Sequence, residues 1–436
     1  MIRTEACAAI ARSDRQETLL QTTKSLLGTA FFALPRAATG PARWWTAPRL
    51  VATLILMAWG KSSETLGDRF TQARALWSGD DAGQTYQGFI KAWERPGLHL
   101  ALAAAARLRQ AITVWAGRSK GKIAGWTVLA VDGSRFELPR TAEHLRVFGT
   151  AGKGDNNPQL WVTLLWHLGL GLPWAWRIGC ADSSERHHLR ALLQYAPAGC
   201  LLAMDAGFTG YDLLRQIQAS GRYFLLRVGR QVELLKNLGD VQIESDGAVY
   251  LWPARAQGRQ QPPLKLRLIR LPGQGRSMYL LTNILAPGAL ADAQAGRIYR
   301  RRWGIELIYR ALKQTLQARK LRSHAPLPAL LEIHGLLLGL TLLGLRTRQA
   351  IGSGRQGRRW SLAQALRVVR QGLHQPQLRQ AWTPLLAQAV PDGYKRKHKT
   401  RVLWPRKKQH DPPPGEPRCR PATPAERRHA ATLGFE

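Results

Sequence analysis

Apolar positions follow helical spacing through the first part of the chain and strand-like spacing after it. The segments RLVATLILMAWG (49–60) and LHLALAAAARLRQAITVWAG (98–117) are rich in Ala and Leu, which is typical of helices. From GWTVLAVDGSRF (125–136) onward, short β-branched apolar runs lie between turns and indicate buried strands. We therefore expect a helical region followed by an α/β region.

The α/β region has an order of elements that fits a mixed sheet flanked by helices. One strand ends at Asp132, a hairpin follows in QLWVTLLWHLGLGLPWAWRIG (159–179), and a further strand, CLLAMD, ends at Asp205. A β-rich stretch then precedes a return to helical spacing. We predict six regions. A helical region 1–124 either binds DNA or packs on its neighbour, and the α/β region follows in two parts, 125–229 and 287–350, separated by a β-rich insertion 230–286. A helical region 351–390 and a disordered basic tail 391–436 rich in Pro come last.

Charge indicates the class of partner. The chain has a net charge of +36 and a pI near 11.3, while 45% of its residues are hydrophobic, as in ordinary folded proteins. A polyanion is the natural partner of such a chain, with nucleic acid favoured over an anionic membrane surface. The longest apolar runs, 50–59 and 335–345, are shorter than the ~20 residues that cross a bilayer. We expect no membrane span and a cytoplasmic protein associated with the nucleoid.

One predicted helix combines an acid with several bases. On an ideal helical wheel the side chains of Tyr299, Arg302, Glu306 and Lys313 fall within about 60° of one another. Apolar side chains, including Ile305 and Ile308, fall on the opposite side. A solvated face with Glu306 paired to neighbouring Arg side chains explains this stripe by itself.

The strand-end aspartates favour a second explanation. Ligands in α/β sheets bind at the carboxyl ends of strands, so Asp132, Asp205 and Glu306 can converge there. Carboxylate oxygens suit Mg²⁺, and a pair of Mg²⁺ ions can assist displacement at a phosphodiester. Mn²⁺ can substitute. Bases beside such a site would contact DNA phosphates.

The motifs AVDGSRF, AMDAGFTGYDLL and IYRRRWGIELIYRALKQ resemble the three acidic motifs of DDE transposases. The third motif is similar to the signature of the insertion-sequence 4 family, here Tyr299, Arg302, Glu306 and Lys313. The resemblance implies an RNase H-like mixed-sheet core interrupted by a β-rich insertion.

The same resemblance implies the roles of the residues. Asp132, Asp205 and Glu306 would bind two Mg²⁺ ions, while Tyr299, Arg302 and Lys313 would contact DNA near the cut. A homodimer would hold both transposon ends, cut the DNA through a hairpin and join it to target DNA. Trp303 matches an aromatic of the motif, and we expect it to pack.

Some residues depart from the family pattern or have local explanations. Ala206 stands where the second motif usually has Arg, and Trp252 is the one Trp of the insertion that could hold a flipped base. We interpret Asp182, Glu185 and Asp212 as acids at helix starts rather than metal ligands. Two alternatives remain open: another RNase H-like nuclease, and a domesticated DNA-binding protein without catalysis.

Overall fold

The structure is a computed structural model, and it describes ten stretches of the chain. These are residues 44–61, 63–75, 85–117, 120–152, 156–238, 247–273, 277–352, 360–374, 382–391 and 415–435. Residues 1–43 of the predicted N-terminal region and 392–414 of the predicted tail lie outside these stretches.

In the described stretches, four helices precede the first strand, and strands and helices are interspersed after it. The helices are α1 Ala47–Ala58, α2 Leu66–Arg74, α3 Tyr86–Glu94, α4 Gly97–Ala116, α5 Ala142–Phe148, α6 Glu185–Leu192, α7 Tyr211–Ala219, α8 Ala254–Gln257, α9 Asp292–Arg301, α10 Gly304–Arg310, α11 Pro326–Ile351, α12 Leu362–His374, α13 Trp382–Ala387 and α14 Pro424–Thr432. The strands are β1 Val128–Glu137, β2 Gln159–His167, β3 Leu172–Gly179, β4 Leu201–Met204, β5 Tyr223–Val228, β6 Glu233–Lys236, β7 Ala248–Leu251, β8 Leu264–Leu271, β9 Met278–Thr282 and β10 Arg418–Pro421.

All ten strands form one mixed sheet in the order β10-β6-β7-β8-β9-β5-β4-β1-β2-β3. Strands β1, β2 and β3 pair antiparallel, whereas β4 lies parallel to both β1 and β5. This arrangement of the first five strands is that of an RNase H-like core, so the predicted fold class is confirmed. Strands β1, β3, β4 and β5 run in the same direction. Their carboxyl ends therefore lie on the same side of the sheet, called its carboxyl edge.

The central strands are buried on both faces. Along β4, Leu202 and Met204 pack into the main core, while Leu201 and Ala203 pack into a second cluster. The sequence of β4 is accordingly apolar at every position rather than alternating. Strand β1 does not end at Asp132 as predicted, because its antiparallel pairing with β2 continues to Glu137.

The predicted insertion extends the sheet instead of standing apart from it. Strand β9 pairs antiparallel with β5, and β8, β7 and β6 follow in order. Trp252, the candidate for holding a flipped base, is 3% exposed, and its Nε1 donates a hydrogen bond to the carbonyl of Gln261. As placed here, this ring is not accessible to a base.

The prediction of a disordered tail is wrong for residues 415–435. Strand β10 pairs parallel with β6, which would otherwise be the edge of the sheet. Arg420 joins the two strands and α14 through ion pairs with Glu233 and Glu426. The segment 415–435 folds although it is poor in apolar residues, because strand β6 supplies backbone hydrogen bonds to β10.

The N-terminal helices pack around α11. Helices α1 and α4 contact α11, and their apolar side chains join the main core that also covers the sheet. Helix α11 is long and apolar enough to cross a membrane by composition, but 78% of its most apolar window is buried inside the protein. This burial is typical of the central helix of a folded domain.

Candidate functional site

Asp132 lies where β1 passes the end of its parallel neighbour. The parallel pairing of β1 with β4 ends at Ala130, two residues earlier, while Asp132 still pairs with Leu164 of β2. Burial and then the carboxylate of Asp205 raise the pKa of Asp132 to about 6. The guanidinium of Arg302 opposes this increase, and Glu306 adds to it. The Asp132 carboxylate therefore experiences both other acids of the predicted triad.

Asp205 follows β4 directly. Its Oδ1 accepts a hydrogen bond of 2.9 Å from the N–H of Gly207, which caps a short helical turn at Ala206–Phe208. This Asx-type cap fixes the carboxylate at the carboxyl end of a buried strand. It is the position that the sequence predicted.

The segment of Glu306 is not one continuous helix as predicted. Helix α9 ends at Arg301, α10 begins at Gly304, and a π-helical turn follows at Ala311–Thr315. Ile298 of α9 packs in the second cluster, whereas Ile305 of α10 packs in the main core. The interruption at residues 302–303 thus lets the chain pass from one hydrophobic cluster to the other.

Tyr309 positions α10 against β1. Its buried hydroxyl lies 2.9 Å from the carbonyl oxygens of Asp132 and Val162 and donates to them. One turn before it on α10 stands Glu306. This contact holds the helix that carries Glu306 against the strand of Asp132.

Lys313 and the chain after it extend the contact with β1. Lys313 lies in the π-helical turn, and its Nζ donates a 2.7 Å hydrogen bond to Oγ of Ser134. Further on, the backbone of Arg319 and Leu321 bonds to that of Glu137. Lys313 therefore contacts β1 at Ser134, close in sequence to Asp132.

Arg302 links the acids electrostatically. Its Nη2 donates a 2.9 Å hydrogen bond to Oε1 of Glu306, and the two side chains are 12% and 30% exposed. Burial lowers the pKa of Arg302, but Tyr299 and the carboxylates of Glu306, Asp205 and Asp132 together raise it above its usual value. A single guanidinium thus bonds Glu306 and interacts electrostatically with Asp205 and Asp132.

Two aromatic residues of the third motif differ from their predicted placement. Tyr299 is only 6% exposed and packs in the second cluster, but the guanidinium of Arg302, which also bonds Glu306, lies 5.6 Å from the centre of its ring. Burial raises the pKa of its hydroxyl to about 12, and Arg302 opposes that rise. Trp303, expected to pack, is 54% exposed because it lies at the junction between α9 and α10.

Comparison with known proteins decides the family. Residues 124–342, which include Asp132, Asp205 and Glu306, match the family described as "Transposase DDE domain". The chain belongs to the DDE transposase family. This confirms the resemblance inferred from the three motifs.

One curated relative and one solved structure add to this result. The chain is 29% identical over 232 residues to transposase InsG for insertion sequence element IS4 of Escherichia coli (strain K12), and the match covers 50% of this chain and 52% of that protein. The chain thus spans about half the length of this relative. A cryo-EM structure of a piggyBac transposase synaptic complex with hairpin DNA aligns with TM-score 0.41 and 12% identity, covering 88% of this chain and 86% of the other.

The donor set fits the divalent metal that the DDE family implies. Asp132, Asp205 and Glu306 offer hard oxygen donors, and the carboxylate of Asp205 adds to the effect of burial in raising the pKa of Asp132. Within the described stretches, however, no three acidic, His or Cys side chains already form a ligand set. Arg302 is the partner of Glu306 in this arrangement. A metal ion would therefore take over the role of Arg302 toward Glu306.

A basic cleft lies next to the acids. Its volume is about 390 Å³, and it is lined by Arg135, Glu137, Ala151, Asn156, Gln159, Lys313 and Arg319. Lys313 belongs to the third motif, and Arg135 follows Asp132 on β1. Three cationic side chains and two amides make this cleft suited to phosphate oxygens.

Glu185 begins α6, as the sequence predicts, but it also lies near the predicted triad. Glu185, interpreted as a helix-start residue, has a pKa raised to about 7 by burial and then by Asp132 and Asp205. The directions of the strands indicate where Glu185 lies. Because β3 ends at the same edge as β1 and β4, the first turn of α6 begins close to the aspartates.

Proposed function

We propose that this protein is the transposase of an insertion sequence. It binds the terminal inverted repeats of its element, cuts the DNA at the element ends through a hairpin intermediate and joins those ends to target DNA. The observation that supports the proposal is that Arg302, which bonds Glu306, also interacts electrostatically with Asp132 and Asp205.

Each residue has a chemical role in this proposal. Asp132, Asp205 and Glu306 would hold two Mg²⁺ ions, for which Mn²⁺ can substitute, and such ions activate the attacking oxygen and stabilise the leaving one. Arg302, released from Glu306, binds a phosphate oxygen through its planar fork. Lys313 holds a neighbouring phosphate in the basic cleft. A DNA contact by Tyr299 requires its buried ring to become accessible.

The whole chain supports a DNA partner. A net charge of +36 provides many phosphate contacts outside the site, and the curated relative is named as the transposase of an insertion element. A homodimer holding both ends, acting in the cytoplasm at the nucleoid, completes the proposal.

The test is DNA cleavage by the purified full chain. The protein is incubated with DNA carrying the ends of its element, with and without Mg²⁺, and nicks and hairpins are mapped on a denaturing gel. We expect cuts at the element ends that require Mg²⁺. Asp132→Asn, Asp205→Asn and Glu306→Gln should each abolish cleavage and leave end binding largely intact.

The same gel separates the alternatives. Substantial cutting by any of the three variants would refute the site. Cutting that ignores the element ends would favour another RNase H-like nuclease, and end binding without any cutting would favour a domesticated DNA-binding protein.

A further inference from the structure

The first turn of α6 is held against the turn that follows Asp205. Glu185 is the first residue of this helix. Its neighbour Arg186 donates a 2.8 Å hydrogen bond from Nε to the carbonyl oxygen of Gly207. The backbone of Glu185 is therefore fixed beside one of the predicted metal ligands.

The Glu185 carboxylate occupies the space left by a glycine. A Cβ added to Gly133, the residue after Asp132, would approach Oε1 of Glu185 and Nε1 of Trp161 more closely than van der Waals contact allows. On the other side, a Cβ on Gly207 would lie 3.8 Å from Oε2 of Glu185 and 3.0 Å from Oδ1 of Asp205. The two oxygens of Glu185 thus lie between the segments of Asp132 and Asp205.

No hydrogen bond or ion pair holds the Glu185 carboxylate within the described part of the chain, and Arg135 only partly opposes the rise of its pKa. Asp132 and Asp205 are the groups that act on it most strongly after burial. The Nε1 of Trp161 is likewise buried without a hydrogen-bond partner among the described residues. Partly buried carboxylates that repel one another are costly unless a cation compensates them.

An acid at a helix start needs no such environment. The favourable interaction with the helix dipole is available to an exposed side chain, as the exposed Asp182 shows just before α6. The interaction with the helix dipole does not explain why the Glu185 carboxylate lies between the segments of Asp132 and Asp205. It also does not explain why position 133 is a glycine.

We propose that Glu185 is a fourth carboxylate of the metal site, binding a divalent cation directly or through a bound water. This inference rests on the proposed function, because it adds a ligand to the site of Asp132, Asp205 and Glu306. Gly133 is the positioning residue that gives the Glu185 carboxylate its space.

The test measures Mn²⁺ binding to the full-length protein by electron paramagnetic resonance of the free ion. Glu185→Gln should weaken Mn²⁺ binding on the order of tenfold, as should Gly133→Ala, which displaces the carboxylate without changing charge. Asp182→Asn is the matched control, since it removes one negative charge three positions away and should bind Mn²⁺ as the wild type does. Asp205→Asn reports on the proposed site itself.

A melting curve without metal provides a readout independent of binding. If Glu185 is there for a cation, Glu185→Gln relieves repulsion and raises the melting temperature of the metal-free protein. If it only complements the helix dipole, the same variant lowers that temperature.

The outcomes separate the two proposals. Wild-type Mn²⁺ affinity in Glu185→Gln, together with loss of binding in Asp205→Asn, would overturn the role of Glu185 and leave the proposed function intact. Absence of saturable Mn²⁺ binding in the wild type, or unchanged binding in Asp205→Asn, would overturn both.

Discussion

Replacing Tyr309 by Phe tests how the third acid is brought to the site. The variant keeps the ring, which packs in the main core, and removes the hydroxyl that reaches the carbonyls of Asp132 and Val162. Because Tyr309 is 5% exposed, water has little access to replace that donor. The perturbation therefore acts on the link between α10 and β1 and leaves every acid in place.

The magnitude follows from the lost donor. Leaving a buried acceptor without its donor costs about 1–3 kcal/mol, which corresponds to a fall of a few degrees in melting temperature. Glu306 stands one turn before Tyr309 on the same short helix, so a loosened α10 moves the Glu306 carboxylate relative to Asp132. A misplacement of ~1 Å in an active site can cost ~100-fold in rate.

The assay compares single-turnover cleavage of end DNA, end binding and thermal melting. Tyr309→Phe should cut ~10–100-fold more slowly while binding the ends as the wild type does. Tyr195→Phe is the matched control, because Tyr195 is 39% exposed and lies outside the site. A lowered melting temperature with wild-type cleavage would show that the hydroxyl stabilises the fold without positioning Glu306.

Three further predictions concern other parts of the molecule. Arg302→Ala should slow cleavage and hairpin formation ~100-fold in gel assays with little loss of DNA affinity. Arg310→Ala, at an exposed position, should change neither cleavage nor DNA affinity. Equal losses of binding and cleavage by Arg302→Ala would contradict a role of Arg302 in cleavage. Burial lowers the pKa of His334 to about 4, so between pH 7 and 5 the unfolded chain gains a proton that the folded protein does not, and the free energy of unfolding falls. His334→Asn keeps an acceptor for the indole N–H of Trp176. Its melting temperature should fall less than that of the wild type between pH 7 and 5. A fall equal to that of the wild type would contradict the prediction. Deleting 415–436 should lower the melting temperature and increase light scattering on heating, because it removes β10 and leaves β6 as a bare edge; an unchanged protein would show that β10 is dispensable.

Asp132 and Asp205 could be predicted because each follows an uninterrupted apolar run. Such runs indicate strands buried on both faces, and polar residues at their carboxyl ends lie at one edge. Glu306 could be placed with them only through the motif around it. The helix that carries it is joined to β1 by the hydroxyl of Tyr309, a contact that no periodicity reveals.

The misjudged residues share a physical cause. An ideal wheel puts Tyr299 on an exposed face with Glu306, whereas packing in the second cluster buries Tyr299, although it still contacts the Arg302 side chain that pairs with Glu306. Trp303 is exposed at the interruption at 302–303. Helix spacing is a local property, whereas a break that passes the chain from one cluster to the other is decided by packing against the sheet.

The folded end of the chain was missed for a related reason. Strand β10 pairs with β6, and the two lie far apart in sequence. Its own composition gives no strand signal, because the stability comes from completing the edge of a sheet and from Arg420 between two carboxylates. Glu185 was likewise judged by its helix alone, without the direction of β3.

Backbone cleavage by bound iron would test most directly whether the three distant acids form one metal site. Fe²⁺ replaces Mg²⁺ in the full-length protein, ascorbate and peroxide generate hydroxyl radicals at the ion, and the cut positions are mapped by mass spectrometry. We predict three clusters of cuts, around Asp132, Asp205 and Glu306, that excess Mg²⁺ suppresses together and that Asp205→Asn abolishes together. Cuts confined to one of these segments, or cuts elsewhere that Mg²⁺ does not suppress, would contradict the account.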